Sequence, residues 1–216
     1  MLTREQFLPH EMRIVAVLRT QGASDEQVIV RVKSENLFQY PTERMVANRA
    51  TVCLRRLDAM VPTDAACAAR GIDPNTAAEA ALSLTGLMAS GTPTQADQAI
   101  FYSMICRYDI VREFVLVEVG ERLQNFDYAF TAADLNAFMT RFTTEYPDAA
   151  RWTEATVKRI KGSIRQTLRH AGLIGEGMGP ESERLSPLFL DSDVERALVQ
   201  LGEQPLIAAL TGREVM

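Results

Sequence analysis

Apolar residues recur along most of this chain at intervals of three and four, the period of a helix that buries one face. His10 to Gln21 predicts a first helix, with Ile14, Val15 and Leu18 on one side and Gly22 as its stop. Ser24 and Gln27 make a capping box for a short helix whose Val28, Ile29 and Val32 turn inward. Asn36 to Pro41 is a connection, and Thr42 caps a longer helix to about Met60. Thr63 starts a short helix that ends at Gly71, and Pro74 opens an Ala- and Leu-rich helix to Ser90. Gly91-Thr92-Pro93 breaks the chain. Thr94 to Arg107 and Asp109 to Gln124 read as two successive helices or one bent helix, apolar on broad faces as core helices are.

The last third repeats the early pattern. Thr131 with Asp134 caps a helix that turns Phe138, Met139 and Phe142 inward. After the connection at Tyr146-Pro147-Asp148, Thr153 caps a helix to about Ala171, ended by Gly172. Glu176-Gly177-Met178-Gly179-Pro180 reads as flexible, and Arg184 to Leu190 suits a strand or irregular chain. Asp191 or Ser192 caps a helix to Leu201, and Pro205 to Thr211 adds a final turn or two. The expectation is an all-α, compact helical protein with two helix-turn-helix-like units around central core helices. Residues 1–92 hold the first unit, at about 24–60. Residues 93–216 hold the core helices and the second unit, at about 131–172.

Each unit is a short capped helix, a connection and a longer basic helix, the plan of a helix-turn-helix. On the helix begun by Thr42, Val46, Ala50, Cys53, Leu57 and Met60 share one face, and Arg44, Asn48, Thr51 and Arg55 share the opposite one. Arginine can fork onto guanine or phosphate, asparagine can pair with adenine, and threonine can bond phosphate. The same stripe also suits the solvated face of a core helix. On the helix begun by Thr153, Val157, Ile160, Ile164 and Leu168 form the inward stripe. Lys158, Arg165 and Arg169 lie together on another face, with Lys161 at its edge and Arg159 further round. Within that helix only Glu154 offsets these charges, and its place is one the helix dipole favours for a carboxylate. Cations gathered on one face without acids suit a polyanion better than a plain surface. Trp152 precedes the cap, where it can staple onto Val157. Both connections are longer than the usual turn of about 3–4 residues.

The formal net charge of −5 opposes a nucleic-acid partner until the two basic helices are set apart from their acidic surroundings. Three cysteines without CxxC spacing read as reduced thiols, not a disulfide framework or zinc site. No apolar run is long enough to span a bilayer and the first residues lack a secretory core, so a cytoplasmic protein off the membrane is expected. His10 and His170 stand apart from each other and from any cysteine, and His170 suits the last turn of its helix. No phosphate-binding glycine loop, HExxH or GxSxG occurs. The chain reads as a non-enzyme without metal or cofactor.

Phe7-Leu8-Pro9-His10-Glu11, Gly22 to Val32 and Glu35-Asn36-Leu37-Phe38-Gln39 resemble the N-terminal part of the BrxA family, small core proteins of BREX phage-defence systems. Phe114-Val115-Leu116-Val117-Glu118-Val119 resembles that family's central helix. Trp152-Thr153-Glu154-Ala155-Thr156, with Ala171-Gly172-Leu173-Ile174, resembles its C-terminal signature. The resemblance runs in patches over residues 7–60 and 95–210. It implies an all-helical protein whose two helix-turn-helix units bind double-stranded DNA. It also implies a non-catalytic role beside a BREX methyltransferase, a phosphatase-like protein and an ATPase. Arg44, Asn48 and Arg55 occupy the matching positions in one unit, and Lys158, Arg165 and Arg169 in the other. The function expected is that of a monomeric DNA-binding defence component. A protein-interaction adaptor of the defence complex and an RNA-binding, antitermination-like bundle are the alternatives.

Overall fold

The structure is a computed structural model and describes residues 7–176 and 183–213. Most of the stretch expected to be flexible, Gly177 to Pro180, lies outside the described residues. In chain order the helices are α1 Pro9–Thr20, α2 Asp25–Ser34, α3 Glu43–Ala59, α4 Asp64–Arg70, α5 Pro74–Ser90, α6 Pro93–Arg107 and α7 Asp109–Glu113. A π-helical turn, Phe114–Val119, carries α7 directly into α8, Gly120–Gln124. Strand β1, Ala129–Phe130, leads to α9, Ala132–Glu145, then a 3-10 turn, Ala149–Arg151, and α10, Glu154–His170. Strands β2, Ile174–Glu176, and β3, Glu183–Leu185, precede α11, Ser192–Gln200, and α12, Gln204–Thr211. The protein is therefore mostly α-helical, with one small sheet.

The caps explain where these helices start. Ser24 and Gln27 close a reciprocal capping box at α2. The hydroxyls of Thr42, Thr63 and Thr153 accept from the backbone N–H three positions on. Asp73 and Asp191 cap α5 and α11 with their carboxylates. At α9 the work falls to Asp134, which accepts both the Thr131 N–H and the Thr131 hydroxyl. The chain breaks between α6 and α7 at Tyr108, whose backbone is extended, so these are two successive helices.

One unit comprises Leu8–Arg107 and Leu190–Glu203. Here α1 packs on α5 and α3, and α5 packs on α6 and α11. Ala77, Ala80 and Ala81 keep the buried face of α5 shallow, which lets its neighbours approach closely. Helix α6 is buried almost all round, as its lack of a polar face requires. Its Gln98 accepts the Asp191 N–H at 2.9 Å, and Gln95 donates to the Asp191 carboxylate at 3.0 Å, which fixes the start of α11. The end of that segment is fixed by Glu203, buried against Arg70 at 2.9 Å.

The other unit comprises Tyr108–Phe189 with α12 and Phe7. Its sheet is antiparallel, in the order β1-β3-β2, with Ala129 opposite Arg184 and Gly175 opposite Arg184 on the other side. Strands of two or three residues carry no readable alternation, so an all-helical reading passes over β1 and β2. Of the stretch Arg184 to Leu190, expected as a strand or irregular chain, Arg184 and Leu185 lie in β3. Gly120 sits where α12 crosses α8. A Cβ there would lie 2.9 Å from the Ala209 Cβ and 3.3 Å from its Cα. By contrast, a Cβ on Gly86 in mid-α5 would meet nothing within 4 Å.

These two glycines predict opposite responses. Gly120→Ala is expected to destabilise by about 1–3 kcal/mol through overpacking against a backbone that cannot yield. Gly86→Ala is expected to stabilise by about 0.5–1 kcal/mol. Urea unfolding of both variants checks this, and a neutral Gly120→Ala would refute the close crossing.

Candidate nucleic-acid interface

Two helix pairs carry the candidate residues, one in each unit. In the first pair, α2 and α3 are joined by a loop that the Asn36 side chain closes on itself. Its amide donates to the Tyr40 carbonyl at 3.0 Å and accepts the Tyr40 N–H at 3.1 Å. The Tyr40 hydroxyl donates to Glu11 of α1. Burial, then that hydrogen bond, raises its pKa to about 12. Lys33 pairs with Glu43 at 3.3 Å across the start of α3. On α3, Val46, Ala50, Cys53, Leu54 and Leu57 are buried, while Arg44, Asn48 and Arg55 are exposed. Thr51 is half-buried, and its hydroxyl donates to the Ala47 carbonyl at 2.9 Å. Arg56, on the same helix, is fully buried. Arg44 and Arg55 have no ion-pair partner among the described residues.

The second pair is set by aromatic packing. Phe114 of the π turn meets Phe138 of α9 edge-on at 4.8 Å and Phe130 of β1 edge-on at 6.0 Å. Phe142 stacks on Tyr146 at 4.2 Å and on Trp152 at 6.0 Å. Trp152 thus braces the α9–α10 connection against Phe142. The hydroxyl of Tyr146 donates to Glu113 at 2.5 Å, and this bond raises its pKa. Arg122 of α8 pairs with Asp127 and Asp134, each at 2.6 Å, and donates to the Ala129 carbonyl at 3.0 Å. It joins α8, β1 and the start of α9 through one guanidinium. At the far end of α10, Phe7 stacks on His170 at 5.1 Å.

The charges on α10 divide along its length. Ile160, Ile164 and Leu168 form the buried stripe, with Val157 only half-buried. Lys158 and Arg159 are exposed and have no partner among the described residues. Lys161 donates to the side-chain amide oxygen, Oδ1, of Asn136 on α9 at 2.6 Å. Arg165 pairs with Glu183 of β3 at 2.7 Å, and Arg169 pairs with the other oxygen of the same carboxylate. Glu154 is therefore not the sole offset to these cations, because a strand distant in sequence supplies a second acid. Reversing Arg165 and Arg169 would place two acids against Glu183 and would test the fold as much as any ligand. Sequence reasoning confined to one helix had no means of finding Glu183.

No helix among the described residues is long and apolar enough to cross a membrane. A family profile described as BrxA matches residues 1–202. The chain belongs to the BrxA family. It is similar to the protein named BREX protein BrxA from Escherichia coli O9:H4 (strain HS), at 21% identity over 127 residues. That match covers 59% of this chain and 58% of the relative's length, so it spans less than two thirds of either. The fold is shared with the crystal structure of an uncharacterized protein from Magnetospirillum magneticum. The TM-score is 0.74 at 17% identity, over 98% of this chain and 97% of that one. The BrxA fold of this chain thus presents two basic helices, each on its own unit.

Trp152 is the single tryptophan, so its fluorescence reports on the α9–α10 connection. Phe138→Ala is expected to cost about 3–5 kcal/mol and to lower the urea midpoint read by that signal. An unchanged midpoint would show that the aromatic cluster does not hold the connection.

Proposed function

We propose that this protein is a non-catalytic, double-stranded-DNA-binding component of a BREX-type bacteriophage defence system. The observation that carries the reading is the exposure of Lys158 and Arg159, unpaired among the described residues, on the first turns of α10. Helix α10 is the second helix of a strand, helix, turn, helix, hairpin arrangement. In this reading residues 131–172 form a helix-turn-helix with β2 and β3 as a wing, and α10 enters the major groove. The N-terminal residues of such a helix face the base edges and flanking phosphates. Helix α3 serves the first unit, at about 24–60, with Arg44, Asn48 and Arg55 toward the duplex and Thr51 at the margin. The net charge of −5 predicts modest affinity that depends on salt.

Similarity to a protein named for BREX supports placing this one in the same kind of system. Its protein partners are then the methyltransferase, phosphatase-like protein and ATPase of that system, in the cytoplasm, with this chain as a monomer. No cofactor is needed for this role, since cations and helix placement supply the binding.

Lys158→Glu with Arg159→Glu is expected to weaken binding to a short duplex by about tenfold or more and to flatten the log–log salt slope by about 1–2. Arg44→Glu with Arg55→Glu is expected to do the same for the first unit. Fluorescence anisotropy at several salt concentrations reads both. Retained affinity in both folded variants would sink the DNA reading.

A further inference from the structure

Glu183 stands in an unusual place for an acid beside a basic helix. Its side chain is 14% exposed, and each oxygen faces an arginine of α10, Arg165 on one side and Arg169 on the other. Strand β3 is the middle strand of the sheet, bonded to β1 and β2 alike, so the carboxylate is carried on backbone that is held from both sides. Glu183 is directly opposite Phe130, whose side chain is buried in the core. Cross-strand neighbours share a face of the sheet, so Glu183 projects toward the helices. The arginines are less enclosed, with side chains 36% and 61% exposed. They are reachable from solvent while their charge is already answered from within.

A duplex phosphate carries the same charge as this carboxylate and seeks the same guanidinium donors. To gain Arg165 or Arg169 it would have to displace an acid fixed by the sheet. It would also have to approach the C-terminal end of α10, where the helix dipole repels anions. At the first turns of α10, no carboxylate among the described residues pairs with Lys158 or Arg159.

We propose that Glu183 is an internal competitor of duplex phosphate. It holds Arg165 and Arg169 back, confines the contact to the first turns of α10, and keeps the affinity low. This rests on the DNA-binding reading above and adds a residue that limits that binding. Glu183 acts here as a positioning residue, through the two arginines.

The test compares the unaltered chain with Glu183→Gln, Arg169→Gln and the double variant, titrating a labelled short duplex across a salt series. Glutamine keeps the shape and removes the charge. Glu183→Gln is expected to bind about three- to tenfold tighter at about 0.1 M salt, with a log–log salt slope steeper by about 1–2. Arg169→Gln alone is expected to change affinity less than about twofold, and in the Glu183→Gln background to remove much of the gain. A folded Glu183→Gln with unaltered or weaker binding overturns the proposal, while binding by the unaltered chain leaves the DNA reading standing. If Glu183→Gln does not fold, Arg169→Gln decides. A loss of about tenfold or more in that single variant shows that Arg169 already contacts the duplex, which overturns the proposal; unaltered affinity supports it. Failure of both the unaltered chain and a folded Glu183→Gln to bind at low salt overturns the proposal and the DNA reading together.

Discussion

The second unit depends on Phe114. Its ring lies edge-on to Phe138 at 4.8 Å and to Phe130 at 6.0 Å, so one side chain of the π turn reaches both α9 and β1. Such edge-to-face pairs contribute about 0.5–1.5 kcal/mol each beyond the area they bury. The effect here is also geometric. Phe130 lies on the edge strand β1, directly opposite Glu183 of the middle strand β3, and Phe138 fixes the helix that Phe142 and Trp152 extend toward α10. A π turn leaves one residue beyond the α-helical repeat and resets which side chains face inward after it. That turn sets Phe114, Val115 and Val119 inward and leaves Glu118 able to pair with Arg141 of α9 at 2.8 Å.

On this frame, charge placement gives α10 two different ends. The first turns present cations to solvent, and the last turns turn theirs toward Glu183. Exposed ion pairs contribute little to stability, about 0–1 kcal/mol. That range applies to Arg169, whose side chain is 61% exposed, whereas Arg165 meets a carboxylate only 14% exposed, so the Glu183 cluster belongs to the fold as well as to the surface offered to an anion. The first unit differs. Its basic face on α3 is set by burial of the opposite face, and its loop is shaped by Asn36, whose amide closes a ring with Tyr40.

Much of the helical architecture was legible because caps and periodicity are local. Ser24 with Gln27, Thr42, Thr63, Thr153 and Asp134 all cap as their spacing implies. The exposed stripe of Arg44, Asn48 and Arg55 follows from helical geometry and needs nothing from the tertiary fold. Of the sheet only β3 was legible, as the start of the stretch from Arg184 to Leu190 that suits a strand or irregular chain; β1 has two residues and β2 three, too few for a period. Trp152 meets Phe142 because the chain turns back at Ala149–Arg151, which a linear reading cannot place. Glu183 escaped for the same reason. Its partners are 14 and 18 positions earlier, across a helix end and a hairpin. The candidate cations were found by type and face, while their division into answered and unanswered charges required the fold.

Under the proposed function, the basic helices of this BrxA-family chain serve duplex DNA. The most direct measurement is titration of the unaltered protein against equal lengths of duplex DNA and duplex RNA at salt from about 0.05 to 0.2 M. Saturable binding that weakens steeply with salt and favours DNA is expected, because the wide major groove of B-form DNA admits a helix and the narrow one of RNA does not. Absence of binding at the lowest salt, or equal affinity for RNA, would contradict it.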